Sequence, residues 1–214
     1  MSRRKDYSQI MDKFVERLDY MTDKHRKVLF LRCDVRFPKG YTAKGTNEEF
    51  LTLMQDTRSG MKERGIEMQD VWAREQVRSE NPRAQKQNEN PHYHVAILLN
   101  GSKVQNAMPV LQGISETWKK ITSSPKDGLI DHANRDEKRR KVPPETHINR
   151  PSSEASGEVL VEQTAKFEEA KDEAICRTDY LSKAYSKGNA PPGVREFGSS
   201  ELPGAKKGPK RQRE

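Results

Sequence analysis

The chain has 214 residues, 32% hydrophobic and 34% charged, with a formal net charge of +8. That length supports one domain with its own core, and a mean hydropathy of -1.05 means the core shares the chain with polar loops or tails. Two cysteines, Cys33 and Cys176, far apart and in no CxxC pattern, exclude a disulfide scaffold and a cysteine zinc site; no run of about eighteen apolar residues is present, so no membrane span is expected. Residues 7–24 read as a helix, with Ile10, Phe14, Leu18 and Met21 at helical spacing. Residues 28–37 read as an apolar strand that Pro38-Lys39-Gly40 ends. Asn47 is placed to cap a second helix, with Glu48 and Glu49 in its first turn and Phe50, Leu53, Met54, Thr57 and Met61 as its buried stripe. A second strand covers 67–78 and a polar loop 79–91. A third strand then runs from His92 to Asn100-Gly101, a turn signal. A helix reaches Ile121, with Pro109 near its start, and a weak strand spans 128–132.

Residues 134–158 turn charged and then rich in Pro and Ser, and read as an exposed polar insertion. Helical periodicity returns over 161–187, and residues 188–214 read as a flexible basic tail. The order predicts an α+β fold: a small two-layer arrangement built on a central, mainly antiparallel sheet with flanking helices. Its parts are an N-terminal helix (1–24), a main domain (25–187) that carries the insertion, and the tail. The basic start, Met1-Ser2-Arg3-Arg4-Lys5, has no apolar segment behind it, so the expected location is cytoplasmic. The basic excess itself fits either plain solubility or a polyanionic partner, most simply nucleic acid.

The chemistry centres on Pro91-His92-Tyr93-His94. On a strand, alternate side chains share a face, so His92 and His94 point the same way and can grip one divalent ion. A third ligand must come from a neighbouring strand. Glu75 shares a face with Val71, Ala73 and Val77, and a lone acid there is costly unless it binds metal or pairs with a basic neighbour. Both readings of Glu75 stay open, and Asp34 is a weaker candidate because its register is not fixed by sequence. A His-His-carboxylate set with open positions suits Mg²⁺ or Mn²⁺ as a Lewis acid, and also hydrolytic zinc. Ala96 stands where an HxHxD hydrolase motif would place its aspartate, and HExxH is absent. The nucleophile candidate is Tyr180, which shares a helix face with Lys183 and Lys187. Tyrosine among lysines on a polar face is commonly surface decoration; beside a metal-binding pair, a phenol can attack a phosphodiester.

Together these elements bear a specific resemblance. The apolar strand 28–37, then His92-Tyr93-His94, then Tyr180-Leu181-Ser182-Lys183 follow the motif order of HUH endonucleases, the rolling-circle replication initiators. Trp72-Ala73-Arg74-Glu75, residues 91–100 and Trp118 further resemble the inovirus Gp2-like, or YagK/YfjJ-like, family, over roughly residues 28–187. The resemblance implies a central antiparallel sheet carrying the histidines, with the tyrosine helix facing it. It implies that His92 and His94 hold the divalent ion, that Tyr180 cuts one DNA strand at an origin and stays joined to the 5′ end, and that Lys183 steadies the phosphate. A third histidine, used by conjugative relaxases, is not evident, which favours the replication class. No GxxxxGK[ST] loop is present, so unwinding would fall to a host helicase and extension to a host polymerase. Arg74, Lys187, Arg139 and Arg140 are the expected DNA contacts, made to phosphates rather than to bases. Two other functions compete: a non-catalytic DNA-binding prophage regulator, and a metal-dependent phosphoesterase that uses water.

Overall fold

The computed structural model describes residues 8–76, 90–126, 129–133, 141–182 and 189–204. Its elements are α1 (Ser8–Lys24), β1 (Lys27–Val35), α2 (Glu48–Glu63), β2 (Met68–Glu75), β3 (His92–Asn100), α3 (Met108–Thr122), β4 (Ile130–Asp131), β5 (Glu145–Asn149), α4 (Gly157–Asp179), a 3-10 turn (Tyr180–Ser182) and β6 (Phe197–Ser199). The fold is α+β, an open six-stranded antiparallel sheet with helices against both faces. The strand order is β4-β1-β3-β2-β6, and β5 also pairs with β1, on the edge that β4 occupies. The histidine strand β3 is therefore central.

Burial on both faces explains the long apolar runs of β1 and β3. Leu29, Leu31, Cys33 and Val35 of β1, with Tyr93, Val95, Ile97 and Leu99 of β3, enter one core with Phe50, Leu53, Leu111 and Trp118 from α2 and α3. Val28 and Phe30, with Ala96 and Leu98, enter a second core with Ile10, Phe14, Leu18 and Met21 of α1 and Ala174 of α4. Asn47 does stand at the start of α2, but its side chain makes no cap hydrogen bond. Its amide instead donates to the Arg195 carbonyl (2.8 Å) and accepts from the Tyr93 hydroxyl (3.1 Å).

Two expectations are corrected here. Part of the presumed insertion, β5, is a sheet strand, with Thr146 and Ile148 buried against the core. An edge strand needs only two inward residues, which surrounding Pro and charge mask in the sequence. Part of the presumed tail also belongs to the sheet: β6 pairs with Val71–Ala73 of β2, and Ser200 is held by Arg17 Nε on its carbonyl (3.0 Å). Gly198 permits this edge, since a Cβ there would sit 2.6 Å from the Trp72 ring.

Candidate active site

One sheet face changes character along its length. On the side covered by α1 and α4, β1 presents Val28 and Phe30 and then Arg32 and Asp34; β2 presents Val71 and Ala73 and then Glu75. The antiparallel β3 runs the other way, His92 and His94 first, Ala96 and Leu98 after. Register brings the polar ends together: Glu75 lies opposite His92, Ala73 and Asp34 flank His94, and Arg32 lies opposite Ala96. Opposed residues in an antiparallel pair point to the same face, so three strands place one polar group at one end of an otherwise apolar surface.

Glu75 and His94 are buried, each 2% exposed, and His92 is half-buried at the rim. Glu75 Oε2 lies 3.2 Å from His92 Nε2 and 3.1 Å from His94 Nε2. One ligand atom from each of the three residues lies within 4.8 Å of the others, a group that could hold a metal ion. The other ring nitrogen of His94, Nδ1, sits 2.6 Å from Asp34 Oδ1. With Asp34 ionised, Nδ1–H donates to it, which fixes the ring and turns the Nε2 lone pair toward Glu75. That buried Nε2 makes no well-directed hydrogen bond, although the Glu75 carboxylate is close. Two acceptors facing each other in a buried site need a cation or a proton between them. Two imidazoles and a carboxylate with open positions fit a divalent cation.

Without a metal, the same electrostatics favour a proton on His94. Burial alone would push His94 toward its neutral form, but the neighbouring Asp34 and Glu75 carboxylates outweigh it and raise its pKa. Burial likewise works against an ionised Asp34, but His94 and Arg32 outweigh it and hold the carboxyl below its ordinary value.

Tyr180 closes the group. It opens the 3-10 turn after α4, and its neighbour Leu181, fully buried in the second core, anchors that turn. Its ring meets the His94 ring nearly edge-on, at 4.9 Å between centroids and 80°. The Arg32 guanidinium covers the Tyr180 ring at 4.3 Å. One turn earlier in α4, Arg177 donates to Thr146 Oγ1 (2.9 Å) and to the Pro144 carbonyl (3.0 Å), tying the helix to β5.

The structure thus gathers Glu75, His92, His94 and Tyr180, and Asp34 with them. Arg74 is elsewhere: its side chain is buried on the opposite face of β2, beside Tyr93, and does not reach this group. Lys183, Lys187, Arg139 and Arg140 lie outside the described residues. Arg32 was missed in the sequence, yet the same signal that picked out Glu75, a charge interrupting one face of an apolar strand, marks it. Among the described residues, no helix is long and apolar enough to cross a membrane. No curated protein matches the chain. The model of the YagK/YfjJ C-terminal domain family matches residues 1–200, the stretch that carries these strands, the Glu75–His92–His94 group and Tyr180, and the chain belongs to that family.

Proposed function

We propose that this protein is an HUH-type, metal-dependent DNA endonuclease and strand transferase, similar to the inovirus Gp2-like initiators, that starts rolling-circle replication of a phage or prophage. The observation that carries this reading is the Tyr180 ring lying against His94 beside the buried Glu75–His92–His94 group. A phenol next to a candidate metal site is the arrangement a tyrosine nucleophile needs. In the proposed reaction, Tyr180 Oη attacks the phosphorus of a single-stranded DNA phosphodiester. The Oη–P bond forms, the P–O3′ bond breaks, the phenol gives up its proton and the departing O3′ takes one up. The 5′ end stays on the enzyme as a phosphotyrosine, and the free 3′ hydroxyl serves a host polymerase, with a host helicase unwinding the duplex. One phosphodiester replaces another, so the reverse transfer can rejoin the strand.

Glu75, His92 and His94 would hold a divalent ion, Mg²⁺ or Mn²⁺, whose contribution is to polarise the phosphate and offset its growing charge. Asp34 keeps His94 oriented, and Arg32 supplies a fixed positive charge beside the ring. Lys183 is proposed to steady the phosphate, and Lys187, Arg139 and Arg140 to contact the DNA backbone. Arg74, buried as it is, would bear on DNA only through the packing around Tyr93.

Incubation with single-stranded oligonucleotides and Mn²⁺, followed by a denaturing gel, tests this. The expected result is a covalent protein–DNA adduct that disappears in Tyr180→Phe, and in His92→Ala and His94→Ala while DNA binding largely persists, because binding rests mainly on charge. Binding without cleavage would point instead to a regulator. Turnover without an adduct, indifferent to Tyr180→Phe, would point to a phosphoesterase.

A further inference from the structure

We infer that Arg32 is a positioning residue for the nucleophile, fixing the plane of the Tyr180 ring, and that the Asp34 carboxylate ties this placement to that of His94. The inference rests on the strand-transfer reading above and deepens it, assigning Arg32 a geometric task beyond the charge it brings.

Five contacts converge. The guanidinium carbon of Arg32 lies over the Tyr180 ring, 4.3 Å from its centroid. One Arg32 nitrogen donates to Asp34 Oδ1 at 3.3 Å, and another to the Arg177 carbonyl at 3.4 Å. The same Asp34 Oδ1 lies 2.6 Å from His94 Nδ1. The His94 ring then meets the Tyr180 ring from a second direction, at 4.9 Å. One carboxylate oxygen therefore orients both groups that bracket the phenol.

The physical need is clear. Tyr180 sits on a short turn at a helix end, where the backbone is anchored by Leu181 but the ring keeps its own torsions. In-line attack on phosphorus tolerates little error in the position of Oη. A flat cation against the ring face sets its tilt, and guanidinium does this where an ammonium cannot, because only guanidinium is planar and delocalised. Both terminal nitrogens of Arg32 are engaged with Asp34 and with the helix carbonyl, so the side chain is held as a plate rather than left free to reach DNA. Its Nε is buried with no hydrogen-bond partner among the described residues, so the side chain forgoes one donor to keep this pose.

The test uses the full chain and three variants, Arg32→Lys, Arg32→Gln and Asp34→Asn, each checked for a native thermal transition. Two readouts are taken: the single-turnover rate constant for adduct formation on an oligonucleotide with Mn²⁺, and the ring resonance of Tyr180 in protein labelled with ¹³C-tyrosine, assigned by its loss in Tyr180→Phe. Arg32→Lys is expected to slow adduct formation about 10- to 100-fold at unchanged DNA affinity. The Tyr180 resonance should move toward that of an exposed tyrosine in all three variants. A wild-type rate in Arg32→Lys overturns the inference, and so does a Tyr180 resonance that stays in place. If the wild-type protein forms no adduct, the strand-transfer reading fails, and the resonance alone still decides whether Arg32 sets the ring.

Discussion

Two histidine–carboxylate groups sit at opposite ends of this sheet, and they are built to opposite specifications. At one end, Glu67 accepts from Tyr20 (2.6 Å), Lys24 (2.9 Å) and His25 (2.8 Å), joining α1 to the start of β2. Each carboxylate oxygen meets donors, and the group is half open to solvent. At the other end, Glu75 meets two imidazole nitrogens, and the one on His94 makes no directed hydrogen bond although it is buried. The first group is complete as it stands. The second leaves a buried nitrogen facing a carboxylate, a gap that a proton or a cation would fill. Residue types barely separate the two; burial and unmet hydrogen bonding do.

The same substitution at each end breaks the comparison most sharply. Glu75→Gln removes the anionic ligand, but its amide can donate to His94 Nε2, so the metal-free protein should lose little stability. What it should lose is the metal response. For the wild type at pH 8, Mn²⁺ at about a hundred times its dissociation constant should stabilise the fold by about 2.7 kcal/mol, seen as a raised Tm, and Glu75→Gln should abolish most of that rise along with adduct formation. An undiminished Mn²⁺ shift in the variant would remove Glu75 from the ligand set. Glu67→Gln should do the reverse. It weakens three charge-assisted hydrogen bonds at a solvent-screened site, costing about 1 kcal/mol by denaturant melt, and leaves the Mn²⁺ shift intact. A Glu67→Gln protein with a reduced metal response would mean that the two ends are not independent.

How much of this the sequence showed depended on whether the signal was local. The spacing of His92 and His94 put them on one strand face, and the lone acid among Val71 and Ala73 picked out Glu75; both needed only the two-residue period of a strand. Asp34 stayed a weaker candidate because its pairing with His94 is a matter of β1–β3 register, which no local pattern fixes. The same holds for Arg32, whose distant partners, Arg177 on α4 and Tyr180 in the turn after it, lie some 145 positions away. Helices α1, α2 and α3 were legible from their apolar stripes. Strands β5 and β6 were not, because five and three residues with few inward side chains look like loop until a partner strand is known. Arg74 shows the limit of the same rule: one position from Glu75, it faces the other core.

The smallest expected effect is also the one that reads the proton against the metal. In the metal-free protein His94 has a raised pKa, so its protonated form contributes stability that is fully present below the ordinary histidine value, about 6.5, and is lost as pH rises through the folded value. Asp34 has a lowered pKa, so its contribution is present above the ordinary aspartate value and is lost only as pH falls through the lower folded one. Between those limits the protonated His94 is held by Asp34 and Glu75, and this group contributes most to the metal-free protein on the acidic side of neutrality. A metal ion requires neutral His94. The Mn²⁺-induced rise in Tm should therefore grow with pH over the range in which the metal-free Tm falls, and both trends should vanish together in His94→Ala. The His25–Glu67 group has no such dependence on metal, so His25→Ala should leave both trends in place. Parallel rather than opposed trends would mean that proton and metal do not compete for His94 Nε2, and that the orphaned nitrogen is not where the ion binds.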